Sequence, residues 1–451
     1  MLRHRQGVTS LLKASAQPLL ISTRKCAAPN PGETPCLRRR YAAQAATPAK
    51  KEGDISSVFV SLSGVTPEPL PQRFAELKAR LIRGHEDRIR DSWERLLTQL
   101  QQEIGVIEAL GSKVIPEIGY EEINNPPETF VSELKKRGVA VVRGVIPETE
   151  ARDYKTDIER YVRQNPHTRG KHSERITAFI RESDRRLISR LPAFPPHDPQ
   201  VYELYWSPSQ VRARAHPNLL ATQRFLMSFW HSNNPEALIS TSHPLAYADR
   251  LRIRQPGDSG FALGPHVDGG SVERWEEGGY GLGGVYDRVW KGQWEDFDPW
   301  ESSCRLPVVS DLYNGAGACS MFRMFQGWLS MSTTGPHEGT LLVNPLLSRA
   351  TAYYLLRPFF SPRSSNTVGS RDGQSRFLNP DNWVLDPQQN TLLQGASPSH
   401  TQELNAMLHP HLNLAKSMVH IPTVRPGDYV AWHCDSKWTQ DSKSLLKLPP
   451  S

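Results

Sequence analysis

Cysteine is scarce in this sequence. Five cysteines in 451 residues, none of them in a Cys-x-x-Cys pair, exclude a disulfide scaffold and a zinc ribbon. No apolar run approaches the ~20 residues of a membrane-spanning helix, so a soluble protein without a membrane partner is expected. The P-loop signature is missing, because no glycine-rich stretch ends in Gly-Lys-Ser/Thr, and a phosphate cradle of that kind is not read here. Net charge is missing too once the first 41 residues are set aside. Of the 54 basic and 47 acidic residues, that segment holds Arg3, Arg5, Lys13, Arg24, Lys25, Arg38, Arg39, Arg40 and Glu33. The remainder balances at 46 of each sign, so no nucleic-acid partner is expected. What is plentiful is proline (37) and glycine (31), on a chain 38% hydrophobic and 22% charged. That composition can bury a core, and its prolines disfavour a long helical bundle.

The first 41 residues are rich in Arg, Ser, Ala and Leu and reach their first acid at Glu33. That is the composition of a mitochondrial transit peptide. Arg39-Arg40-Tyr41 before Ala42-Ala43 resembles a processing site, so the mature chain is expected in the mitochondrial matrix. Residues 42–72, polar and proline-rich, read as a linker. Residues 73–127 read as a helical N-terminal region. Its main element is one amphipathic helix over residues 72–104, with Phe74, Leu77, Leu81, Ile89, Trp93, Leu96, Leu100 and Ile104 at helical spacing. Gly105 and Gly111 fit its end.

From residue 128 to 435 the pattern is mixed. Glu128–Arg137 suits a short helix stopped by Gly138, Val139–Val142 a strand, and Glu148–Arg163 a second helix opened by Pro147. From Leu251 onward, short apolar runs (Leu251–Arg254, Met321–Ser332, Thr340–Val343 and Tyr429–Trp432) alternate with Gly, Pro, Asn and Asp. Such spacing points to a sandwich or barrel. Gly278, Gly279, Gly281, Gly283 and Gly284 read as a flexible loop over its mouth.

The candidate site is His266-Val267-Asp268. Residues i and i+2 of a strand share a face, so an imidazole and a carboxylate there can take two adjacent corners of one metal. A later histidine would complete a 2-His-1-carboxylate triad, the arrangement suited to iron(II) with open positions for dioxygen and a bidentate co-substrate. The same spacing recurs at His85-Glu86-Asp87, inside the expected helix where i and i+2 do not share a face. It recurs again at His172-Ser173-Glu174 and His433-Cys434-Asp435. The turn Pro426-Gly427-Asp428 leads into an apolar strand ending at His433, which makes His433 the candidate third ligand. His409-Pro410-His411 reads as a loop pair.

Five segments carry a resemblance: HVDGGSVERW (His266–Trp275), SMFRMFQGWLSMS (Ser320–Ser332), EGTLLVNP (Glu338–Pro345), LRPFF (Leu356–Phe360) and PGDYVAWHCD (Pro426–Asp435). Together they resemble the YbiU-like family of domain of unknown function number fourteen seventy-nine, which is similar to the phytanoyl-CoA dioxygenase branch of the iron(II)/2-oxoglutarate oxygenases. The resemblance implies an α+β protein whose core is a double-stranded β-helix (jelly roll) behind a helical N-terminal region. It implies Fe(II) on His266 and Asp268, 2-oxoglutarate as co-substrate, and hydroxylation of a small molecule. Arg323 and Arg357, in β-like segments, are the candidates to face the co-substrate. In that branch the third ligand follows the first late histidine, which falls near Trp438 here. The closing strand and its carboxylate-pairing arginine are also expected there, and no arginine follows His433. Residues 436–451 therefore read as an atypical, truncated tail, and impaired catalysis is expected. The rival readings are a catalytically inactive jelly-roll binding protein and a cupin-like metalloenzyme that does not use 2-oxoglutarate.

Overall fold

The computed structural model describes residues 55–63, 66, 68–165, 201–202, 204–248, 250–252, 263–316, 318–364 and 371–439, all within the compact unit Lys50–Ser451. The transit-peptide reading, His172-Ser173-Glu174 and the last twelve residues lie outside the described ones.

Where local signals agree with one another, the sequence pattern is met. The helix Glu128–Arg137 carries Glu128 in its first turn and Lys135, Lys136 and Arg137 in its last, and Gly138 ends it at φ 70°. The helix Glu148–Gln164 follows Pro147 with Glu148 and Glu150 in its first turn. The expected single helix over 72–104 is instead two, Arg73–Ile82 and Glu86–Leu110. Gly84, at φ 77°, breaks it, because a right-handed helix cannot pass through a left-handed residue. Gly105 does not end the second helix, which runs on to Gly111 at φ 54°. Its Trp93 stacks on Phe360 at 4.4 Å and Tyr353 at 5.4 Å.

The strands are short: β1 (Glu117–Gly119), β2 (Val139–Arg143), β3 (Val201–Tyr202), β4 (Leu251–Arg252), β5 (His266–Val267), β6 (Phe325–Leu329), β7 (Leu342–Asn344), β8 (Phe360–Pro362), β9 (Trp383–Leu385), β10 (Gln402–Glu403), β11 (Val419–His420), β12 (Tyr429–His433) and β13 (Lys437–Thr439). One sheet has the order β1-β2-β12-β6 and another β10-β5-β13-β7-β11, and two further pairs are β3-β4 and β8-β9. Alternation along β2 and β12 divides the core. Val139, Val141, Val430 and Trp432 join one cluster with Val267, Val343 and Trp438 of the five-stranded sheet. Ala140, Val142 and Ala431 join another with Phe130, Leu134, Leu219 and Phe229. The central strands β2 and β12 are thus buried on both faces, which is why β2 reads as an unbroken apolar run. The protein is α+β.

Four expectations are corrected by the fold. Residues 55–63 are not a bare linker: Phe59 is buried and Thr401 N donates to Val58 O at 2.8 Å. The tail does not begin at 436, since β13 is a central strand between β5 and β7. Leu356–Phe360 is not a strand but the end of the helix Leu347–Leu356 and a 3-10 turn before β8. The glycines at 278–284 are not an open flap. A Cβ on Gly279 would stand 2.2 Å from Glu273 O, and one on Gly283 1.5 Å from Cys304 O. These glycines are there because backbone passes against backbone. Gly283→Ala is expected to cost about 2–3 kcal/mol through forced displacement of the Cys304 segment. Urea unfolding measures this, and an unchanged midpoint would show that the turn opens freely.

Candidate metal centre

Strand β5 is held on both sides. Glu403 lies opposite His266 on one flank and Trp438 opposite it on the other. His266 is almost fully buried, with Phe59 edge-on at 4.9 Å. Its Nδ1 donates to Gly264 O at 2.7 Å. That bond places a proton on Nδ1, and in the neutral ring it leaves the lone pair on Nε2, the orientation a metal-binding imidazole needs. Nε2 stands 3.5 Å from Asp268 Oδ1, and Asp268 is 27% exposed. A neutral imidazole lone pair facing a carboxylate oxygen is a pair of acceptors, and a cation or a proton between them resolves it.

The turn after Asp268 is fixed from behind. Gly269 and Gly270 take φ 81° and 94°, which only glycine adopts without strain. The buried Arg274 donates through Nη2 to Asp268 O at 2.7 Å and through Nη1 to Gly270 O. Tyr280 hydroxyl donates to Gly269 O at 2.6 Å. Arg274 and Tyr280 were not singled out in the sequence. The signal available was that Arg274 lies in the same HVDGGSVERW segment as the two donors.

His266 and Asp268 come together as the sequence reading had them, and Arg323 approaches them. Its Nη1 donates to Tyr247 hydroxyl at 3.2 Å. Burial opposes the Arg323 charge, but the Tyr247 hydroxyl and the Asp268 carboxylate outweigh it and raise its pKa. Arg357 is elsewhere. It donates to Leu408 O at 3.1 Å and Phe360 O at 2.8 Å and stacks over Trp383 at 4.5 Å, so it ties the start of β8 to the turn at Leu408.

His433 does not stand beside the pair. It ends β12, in the other sheet, with Nε2 donating to Pro299 O at 2.9 Å and Nδ1 accepting from Asp435 N at 3.0 Å. Its ring stacks on Trp230 at 4.6 Å, and burial pushes its pKa down to about 3. Both nitrogens are committed, and the ring is a neutral core group. His433, Cys434 and Asp435 do bring three ligand-type atoms within 4.8 Å. Those atoms are already engaged: burial pushes the Cys434 thiol up to about 12, and Asp435 is bidentate to Arg305, at 2.6 Å and 3.3 Å. His409 and His411, the loop pair at the 3-10 turn Pro410–Leu412, are likewise buried.

The corner where a third donor would stand holds Trp438. Its ring lies 4.2 Å from that of His266, and its Nε1 donates to Asp268 Oδ2 at 3.1 Å. An indole nitrogen is a donor only and cannot ligate. Among the described residues, no third side chain completes the triad, so the donor set does not fit a three-ligand iron(II) centre.

Beside Trp438 lies a buried charge cluster. Lys437 is fully buried, with Nζ donating to Leu347 O at 3.0 Å and to Thr351 Oγ1. Burial pushes it down to about 7, against the pull of Asp435. The unfolded chain therefore holds a proton that the native chain gives up between pH 7 and the ordinary lysine range. Stability is expected to rise with pH across that window. Thermal unfolding of Lys437→Met at pH 7 and pH 9 tests this. The variant is expected to be the more stable form at pH 7 and to lose the slope, because an apolar chain of similar length carries no desolvation cost. An equal slope in both proteins would show that Lys437 stays charged.

These observations define an α+β protein with a candidate metal-binding His-x-Asp pair on a central strand. The chain belongs to the Gig2-like family, whose profile matches residues 68–447. It is 29% identical over 336 residues to the uncharacterized protein YbiU of Escherichia coli strain K12, covering 74% of this chain and 70% of YbiU. Among solved structures it is similar to GlcNAc Inducible Gene 2 of Candida albicans, with a TM-score of 0.67, 29% identity and coverage of 83% of this chain and 73% of that one. It is also similar to a Salmonella typhimurium LT2 protein named as a candidate oxidoreductase, with a TM-score of 0.63, 27% identity and coverage of 83% and 82%.

Proposed function

We propose that this chain carries the jelly-roll scaffold of a non-haem iron(II)/2-oxoglutarate oxygenase-like protein, with His266 and Asp268 at the functional centre, and that as written it is impaired in turnover. The oxidoreductase side of the reading is supported by the strand-borne His-x-Asp pair and by the name of the Salmonella relative. The impairment rests on one observation: Trp438 fills the corner next to both donors and occupies Asp268 through its indole N–H. With two donors instead of three, metal is held weakly and the co-substrate has no ordered centre to bind. A small molecule remains the ligand class, and the mitochondrial matrix is the compartment we propose for it.

Anaerobic iron(II) titration with and without 2-oxoglutarate tests the reading. No charge-transfer band and no 2-oxoglutarate decarboxylation are expected from the 451-residue chain. Decarboxylation at an ordinary enzyme rate, on the order of 1 s⁻¹ or faster, would overturn the impairment. If that rate survived in His266→Ala, the site would be elsewhere.

A further inference from the structure

Residues 55–63 lie against the strand that flanks His266. Glu403 of β10 stands opposite His266 of β5, and directly opposed residues of an antiparallel pair share a face. A 3-10 turn, Ile55–Val58, and a single helical turn, Val60–Ser63, are seated there. Thr401 N donates to Val58 O at 2.8 Å. Ser61 N donates to Glu403 Oε2 at 3.1 Å, and Ser61 Oγ donates to Glu403 Oε1. Between these anchors in sequence comes Phe59. It is 1% exposed, and its ring stands edge-on to that of His266 at 4.9 Å. Trp438 touches the same imidazole at 4.2 Å, so two aromatic rings fix its plane.

The seat is shallow. Phe59 is the one fully buried side chain among the described side chains of the segment. No side chain of Val60–Ser63 is buried, and Leu62 is 39% exposed. One helical turn has no cooperative stability of its own. Segments with few buried apolar groups open at lower free energy than core strands. The segment also stands ahead of the family profile, which starts at residue 68. A part of the chain outside that profile therefore covers a residue inside it.

We propose that residues 55–63 are a latch on the candidate site. Docked on β10, the latch fixes the His266 ring and closes it from solvent. Released, it uncovers the ring. The docking needs no metal, and only its consequence for function rests on the reading of His266 as a site residue.

Diethyl pyrocarbonate, which modifies accessible imidazoles, reads the latch in the full chain, with the modified histidines located by mass spectrometry. Phe59→Ala removes the covering ring, and Glu403→Ala removes both acceptors of Ser61. Each is expected to speed modification of His266 at least roughly tenfold. Phe59→Leu, which refills most of the space, is expected to recover most of the protection. His409 and His433, fully buried elsewhere in the fold, are expected to stay protected in all three variants, which separates release of the latch from general loosening. In the unaltered protein, Ser63 N, a donor to Phe59 O at 2.8 Å, is expected to exchange at least roughly 10²-fold faster than the β2 amides. An unchanged His266 rate in either alanine variant, modification of His409 and His433 in step with His266, or a Ser63 amide as slow as those of β2 would overturn the latch. None of these readouts involves iron(II), so failure of the oxygenase reading would leave them unchanged.

Discussion

Trp438→His is expected to raise the affinity for cobalt(II), a spectroscopic stand-in for iron(II), by roughly 10²-fold or more. Zinc sites with four donors reach apparent binding energies of about 10–16 kcal/mol, so one added donor is worth about 3 kcal/mol, or ~10²-fold. The geometry is already in place. Position 438 lies directly opposite His266 in the sheet, and His266 Nε2 and Asp268 Oδ1 are 3.5 Å apart. The substitution also releases Asp268 Oδ2 from the indole N–H. Trp438→Phe separates the two effects, since it frees the carboxylate and supplies no donor. The expected order of affinity is His, then Phe, then Trp, read from the cobalt d–d bands. Equal affinity in all three proteins would mean that position 438 does not face the metal.

Breaking the Arg305–Asp435 pair is expected to be the most destabilising polar change in the protein. The two side chains are 4% and 2% exposed and 2.6 Å apart. They sit where β12 of one sheet passes into β13 of the other, so the pair fixes the corner between the sheets. Asp435→Ala leaves the Arg305 guanidinium buried without a counter-charge, at an expected cost of about 3–5 kcal/mol. Arg305→Met with Asp435→Leu is expected to recover most of that loss, because neither charge remains to be desolvated. Burial raises the Asp435 carboxyl, and Arg305 more than reverses it, holding the group well below the usual carboxylate range. The stability it contributes is therefore present above the ordinary aspartate pKa and lost as pH falls toward its native value. Urea unfolding at pH 7 and pH 3 measures both statements. A loss under about 1 kcal/mol at pH 7 would place the pair in solvent-screened surroundings.

Local signals were legible where they spoke to neighbours in sequence. Acids at a helix start, bases at its end and Gly138 after it located Glu128–Arg137, because macrodipole and capping act within one turn. His266 and Asp268 were legible for the same reason: a spacing of two fixes a shared face in any strand. The glycines at 278–284 were misread, because close backbone approach and loop freedom use the same residue type. His433 was misread because a polar residue ending an apolar strand can be a ligand or a satisfied core group. Its two hydrogen-bond partners, Pro299 O and Asp435 N, are visible only in three dimensions.

The sequence by itself determined the α+β character, the principal helices and the closeness of His266 and Asp268 at the end of β5, since each depends on composition or on short-range periodicity. The resemblance placed the third position near Trp438, and the tertiary structure decided between it and His433 as the neighbour of the pair. Register between β5 and β13 joins positions far apart in the chain, and no local propensity encodes it. That register sets Trp438, not His433, beside His266. Tertiary packing likewise sets Arg305 against Asp435, because such contacts are fixed by the burial of whole faces and not by any single segment.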